Sequence, residues 1–185
     1  MGDPAVDGSA LRWSIIAMSE TAERLRGVHA WNQARAFAAI GEAVWWVTIV
    51  DATLVRHHPG AYDGVMGDRT PAERQLIEGT LAGLRFVRNQ IGHEVDLAEF
   101  VEARKPDPGA GNERITGWTW KPVPEPALAS LPPRGQAWEM TRYRAYRAQL
   151  AGRNVGEIFG RAAGFLTLAA ANATSLTDIS LQAAR

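Results

Sequence analysis

Cysteine is absent from the 185 residues. That excludes disulfides, thiolate metal sites and a cysteine nucleophile. Lysine is scarce: Lys105 and Lys121 stand against 18 arginines. The basic side chains are therefore almost all planar forks suited to bidentate phosphate contacts. Together with abundant alanine and glycine, this is the composition of a GC-rich bacterial genome. Net charge is lacking as well, since 20 Lys plus Arg balance 20 Asp plus Glu. A protein that coats nucleic acid by charge alone is thereby excluded, but a local basic cleft is not. There is no long apolar run. The most apolar stretch, Ala43 to Val55, is interrupted by Asp51 and is too short to span a bilayer. Met1 to Ser9 is polar and lacks a basic region ahead of an apolar run, so no signal peptide is expected. Cytoplasm is the expected compartment, with no membrane partner.

What is present is enough apolar material for a core: hydrophobic residues make up 46% of the chain. Leu11, Ile15, Met18, Ala22 and Leu25 recur at steps of three and four, which predicts an amphipathic helix ending at Gly27. A longer, central helix is expected from about Trp31 to about His57, carrying Trp45 and Trp46 on a wide apolar face with Glu42 and Asp51 among them. His58-Pro59-Gly60 is expected to stop it and open a loop to Arg69. Thr70-Pro71-Ala72-Glu73 is a capping box with proline at the first helical position. It starts a third helix with apolar positions Ile77, Leu81, Leu84 and Ile91 and a stop at Gly92. Asp96 to Ala103 reads as a short helix.

Residues 105–135 hold seven of the ten prolines. A proline-rich loop is expected there, with Trp118-Thr119-Trp120 as a short extended piece. Two more helices are expected from Gln136 to Ala151 and from Asn154 onward, then a short helix or frayed end over Ser175 to Arg185. The sum is an all-α, antiparallel helical bundle of about five or six helices. It forms a single domain over 1–185, with 1–8 as a flexible tail.

The chemistry concentrates at Arg88-Asn89-Gln90-Ile91-Gly92-His93. At about 100° per residue, Ile77, Leu81, Leu84 and Ile91 fall within about 40° of one line, and Arg88 falls in the middle of that arc. A guanidinium there needs a partner. Either an internal acid, Glu42 or Asp51, faces it, or the stripe opens into a polar cleft or a subunit interface. On an unbroken helix His93 would point about 140° away from Arg88. The two share a site only if the chain breaks at Gly92 or if they meet across a dimer.

Arginine, a polar residue, three more residues and then histidine, late on a bundle helix, resembles the motif of the HEPN (higher eukaryotes and prokaryotes nucleotide-binding) family. Arg88, Asn89 and His93 match its three positions. Arg24 and His29 have the same spacing, but Gly27 interrupts them and no polar residue follows the arginine. The resemblance implies a helical bundle that forms a homodimer with both motifs lining one cleft. It also implies metal-independent endoribonuclease activity on RNA, in toxin–antitoxin or other defence systems, with a cognate antitoxin or regulatory protein as a further partner. Some toxin members carry a tyrosine two residues after the histidine, where the antitoxin modifies them. Val95 stands there, which puts that route of control in doubt.

In this chemistry His93 moves the proton and Arg88 holds the phosphate, while Asn89 orients either of them. The products would carry 2′,3′-cyclic phosphate ends. No metal or other cofactor is expected, since no carboxylate–histidine cluster has ligand spacing. The alternative is a non-catalytic HEPN-like module that binds a nucleotide or a protein. Arg88 would then be a structural ion-pair member, and His93 a helix-end histidine favoured by the dipole. His57-His58 mark a helix end rather than a metal site. Trp118, Trp120 and Lys121 are expected to pin the proline-rich loop, the competing role being base stacking. Arg142, Arg144 and Arg147 form either a phosphate-binding or a solvated face.

Overall fold

A computed structural model of the chain describes residues 8–27, 32–92, 96–103, 117–126, 128 and 131–183. Six helices form an antiparallel bundle: α1 (Gly8–Gly27), α2 (Gln33–His57), α3 (Pro59–Gly67), α4 (Pro71–Ile91), α5 (Pro133–Gln149) and α6 (Val155–Ala183). Two short strands, β1 (Val101–Ala103) and β2 (Trp118–Trp120), pair antiparallel with Val101 opposite Trp120.

α2 is the central helix and packs against α1, α3, α4 and α6. Asn32 caps it by accepting the Arg35 N–H at 3.2 Å. Its inward face recurs at helical spacing through Ala36, Ile40, Val44, Val47, Val50 and Leu54. By length and mean hydropathy, 1.5 over its most apolar window, α2 could cross a membrane. Here half of that window is buried inside the bundle.

Several boundaries differ from expectation for physical reasons. Gly8 already belongs to α1; the rest of the expected tail, 1–7, lies outside the described residues. The expected loop after His58 is mostly α3. Pro59 occupies the first helical position, where its missing N–H costs nothing. Ala61, Val65 and Met66 are then buried. Asp96 to Ala103 is not a helix. Asp96 accepts the Ala98 N–H at 3.0 Å and starts a single 3-10 turn, after which the chain extends into β1. α6 continues without a break to Ala183.

The tryptophan pair does pin its segment. Trp120 is fully buried and Trp118 nearly so, which removes both from base stacking. Lys121 N–H donates to the Phe100 carbonyl at 2.7 Å, and Gly152 N–H to the Trp120 carbonyl at 2.7 Å. The hydroxyl of Tyr146 donates to the Lys121 carbonyl, and that of Tyr143 to the Val123 carbonyl at 3.2 Å. Beneath them Phe86, Phe100, Trp120, Tyr146 and Phe159 form one aromatic cluster, with successive centroids 5.5–6.3 Å apart. Gly152, at φ 77°, makes the left-handed turn between α5 and α6.

α4 and α5 lie unusually close. A Cβ on Gly83 would stand 2.7 Å from Leu150 Cδ1 and 3.1 Å from Tyr146 Cα, and one on Gly79 would stand 2.7 Å from Gln149 Cγ. This second neighbour widens the buried face of α4. Thr80, Gly83, Phe86 and Val87 join Ile77, Leu81 and Leu84 inside. The centre of burial moves roughly 50° from the predicted line. Arg88 lies at the margin of that face and is exposed, rather than central to it.

Candidate functional site

The end of α4 is built as its sequence dictates. Thr70 Oγ1 accepts the Glu73 N–H at 3.3 Å and Glu73 accepts the Thr70 N–H at 2.9 Å, so the start is capped reciprocally. Twenty-one residues later the helix ends at Ile91. Gly92 donates its N–H to the Arg88 carbonyl at 3.1 Å and stays right-handed, at φ −69°. Gly92 therefore still follows the helical path, and His93, the next residue, lies outside the described residues.

Arg88 reaches across to α2. Its guanidinium carbon stands 5.0 Å from the ring centroid of Trp45, which is 50% exposed. The two side chains stand beside an open groove of about 320 Å³ between α2 and the end of α4, with Gly41, Val44, Asn89 and Gly92 as further walls. Gly41 lies one turn before Trp45, and a Cβ there would have only Leu97 Cδ2 nearby, at 3.9 Å. Among the described residues no carboxylate pairs with Arg88.

The two acids expected to support Arg88 are engaged elsewhere. Asp51, 1% exposed, accepts Arg85 Nε at 2.6 Å, has a second contact from the same guanidinium, and accepts the Tyr62 hydroxyl at 3.3 Å. Burial raises its pKa, while the Arg85 charge and hydrogen bond pull it back. Burial and the neighbouring Asp51 likewise push the Tyr62 phenol up. Glu42 pairs with Arg24 and ties α2 to α1 at the surface. The stripe thus opens into a cleft at Arg88, and the internal acid goes to Arg85, three residues earlier.

Asn89 leads to a residue the sequence reading missed. Its amide donates to Glu139 Oε2 at 3.1 Å. Gln90 donates to Oε1 of the same carboxylate at 3.2 Å, and Arg142 to Oε2 at 3.2 Å. Glu139 is 5% exposed. Its signal was its place on the stripe Glu139, Tyr143, Tyr146, Leu150, at steps of four, three and four. Its sequence neighbour Trp138 faces outward and is 56% exposed.

His57 is exposed, and His58 lies between α2 and α3 with Nε2 buried and unbonded. Burial and His57 lower the His58 pKa. Among the described residues no three acidic or histidine side chains gather as a metal site. Comparison with family models, curated proteins and solved structures gives no match for this chain.

Proposed function

We propose that the chain is a metal-independent endoribonuclease of the HEPN type, working as a homodimer in the bacterial cytoplasm within a toxin or defence system. The observation that supports it is the end of α4. Arg88 stands at an open groove beside Asn89, in the last turn of α4, and His93 follows Gly92 closely in the sequence. A solvated guanidinium beside an apolar wall is suited to a phosphodiester.

The reaction balances without a metal. One His93 takes the proton of a ribose 2′-hydroxyl, O2′ bonds to phosphorus, and the P–O5′ bond breaks. The second subunit's His93 gives a proton to the departing O5′. The ends are a 2′,3′-cyclic phosphate and a 5′-hydroxyl. Arg88 holds the charge that builds on the phosphoryl oxygens. Asn89, anchored to Glu139 through its amide nitrogen, keeps its carbonyl oxygen as an acceptor for an imidazole N–H. The test is cleavage of RNA by purified protein in a chelator, beside Arg88→Ala and His93→Ala. Both substitutions should abolish cyclic-phosphate product; equal activity in all three removes the assignment.

One observation favours a second reading, a non-catalytic HEPN-like module binding a nucleotide or a protein. The Asn89 amide is committed to a structural carboxylate. Binding without turnover, retained in a monomeric variant, would select this reading.

A further inference from the structure

α5 carries four arginines and a single acid. That acid, Glu139, is buried and held by Asn89, Gln90 and Arg142. The outward charge of the helix is therefore all positive, in a chain whose net charge is zero. Arg134, Arg144 and Arg147 are exposed. From Arg134 to Arg147 they extend about 20 Å along the helix axis. Just past its C-terminus Arg153, also exposed, reaches back to the Ala148 carbonyl at 3.5 Å.

Aromatic surface is interleaved with this charge. Trp138 is 56% exposed, and the Arg134 guanidinium stands 4.9 Å from its ring centroid. On the other flank Arg144 and Arg147 line a second open groove of about 420 Å³ with Tyr143 and Met140, where Glu125 is the acid at the rim. Segregated arginines with a half-exposed tryptophan form the surface that tracks a phosphate backbone and stacks a base. Buried Tyr143 and Tyr146 hold this face outward, so the tyrosines and arginines of α5 divide its two sides.

We infer that the exposed face of α5 is a docking track for single-stranded RNA, separate from the groove at Arg88. The track meets the proposed catalytic end at one point, where Arg142 and Asn89 share the Glu139 carboxylate. The choice of RNA over another polyanion rests on the proposed ribonuclease function; the charge segregation does not.

The test is binding of a fluorescein-labelled 2′-O-methyl oligonucleotide of about twelve residues, which cannot be cleaved, followed by anisotropy at about 50 and 200 mM salt. Arg144→Glu with Arg147→Glu should weaken binding about tenfold or more and flatten the salt dependence. Arg134→Ala with Trp138→Ala should weaken the single strand more than a duplex of the same length. All four residues are exposed, and unchanged thermal melts confirm that the variants fold. Wild-type affinity in both variants, or no wild-type binding at the lower salt, overturns the inference. So does displacement of the oligonucleotide by polyglutamate of equal charge at equal concentration, which would assign the face to an acidic protein. Cleavage with α5-independent binding leaves the ribonuclease standing without the track. Binding that depends on α5 without cleavage does the reverse.

Discussion

The guanidinium of Arg88 stands over the indole of Trp45, 5.0 Å from its centroid, and joins the end of α4 to the middle of α2. Both side chains are at the surface, so the contact is worth about 0.5–1 kcal/mol. Its larger effect is on placement: Trp45 holds Arg88 at the groove. Trp45→Ala should change stability by less than about 1 kcal/mol yet reduce RNA cleavage about tenfold, mostly in kcat/KM. Trp45→Phe should recover part of the loss. Full activity in Trp45→Ala would show that Arg88 needs no such support.

Arg85 and Arg88 are one helical turn apart and should behave oppositely. Arg85 is paired with buried Asp51 and Arg88 is not. Arg85→Ala strands a buried carboxylate and should cost about 1–3 kcal/mol, the upper range being discounted because Arg85 is about one third exposed. Arg88→Ala should cost under about 0.5 kcal/mol. Urea melts at neutral pH separate the two, and similar losses would contradict the assignment of roles.

The same pair sets a pH dependence. The folded pKa of Asp51 lies above its ordinary value of 3.8. The native state therefore holds its proton longer than the unfolded chain, and this group's contribution to stability falls as pH rises through that interval. Removing Arg85 removes the two larger influences that lower the pKa and leaves the Tyr62 hydrogen bond, so the interval widens upward. The penalty of Arg85→Ala should be larger at pH 7 than near pH 5, and Asp51→Asn should relieve most of it. A pH-independent penalty would mean that Asp51 is not the group left uncompensated.

Much of the fold was legible because its signals are local. The capping box at Thr70 and Glu73 needs only four residues. What failed depends on neighbours. Pro59-Gly60 reads as a stop, but proline at a first helical position also starts a helix, and the pocket that buries Val65 and Met66 decides between them. The position of Arg88 was misjudged because one apolar stripe implies one neighbour, whereas α4 packs against both α2 and α5. Glu139 was passed over because a carboxylate is ordinarily a solvated residue. Its three donors come from positions three residues and about fifty residues away, and no local spacing reveals the distant pair.

Gly83 and Gly160 give a paired test of the helix packing. A Cβ at Gly83 would press into Leu150 and the Tyr146 backbone, whereas one at Gly160 meets nothing within 4 Å. Gly83→Ala should destabilise by about 1–3 kcal/mol, as an overpacked interface does. Gly160→Ala should stabilise by about 0.5–1 kcal/mol through helix propensity. Opposite shifts in Tm are the expected result. Stabilisation by both would mean that α4 and α5 stand further apart than described.

Glu139 links the core to the proposed chemistry, so its substitutions should separate stability from activity. Glu139→Ala removes the acceptor of Asn89, Gln90 and Arg142 at once and leaves polar groups without partners between α4 and α5. The cost should be about 2–4 kcal/mol, since bonds to a charged group are worth about 1.5–3 kcal/mol each and do not add fully. Glu139→Gln keeps the shape and one carbonyl acceptor but drops the charge, so it should cost about half as much. If Asn89 acts on His93 through its carbonyl oxygen, freeing its amide lets that oxygen rotate. Cleavage should then fall in Glu139→Gln at temperatures well below its Tm, with a shifted pH profile, because the imidazole loses a fixed hydrogen-bond acceptor. A variant that is less stable but cleaves with the wild-type pH profile would confine Glu139 to packing and leave the orientation of His93 to some other group.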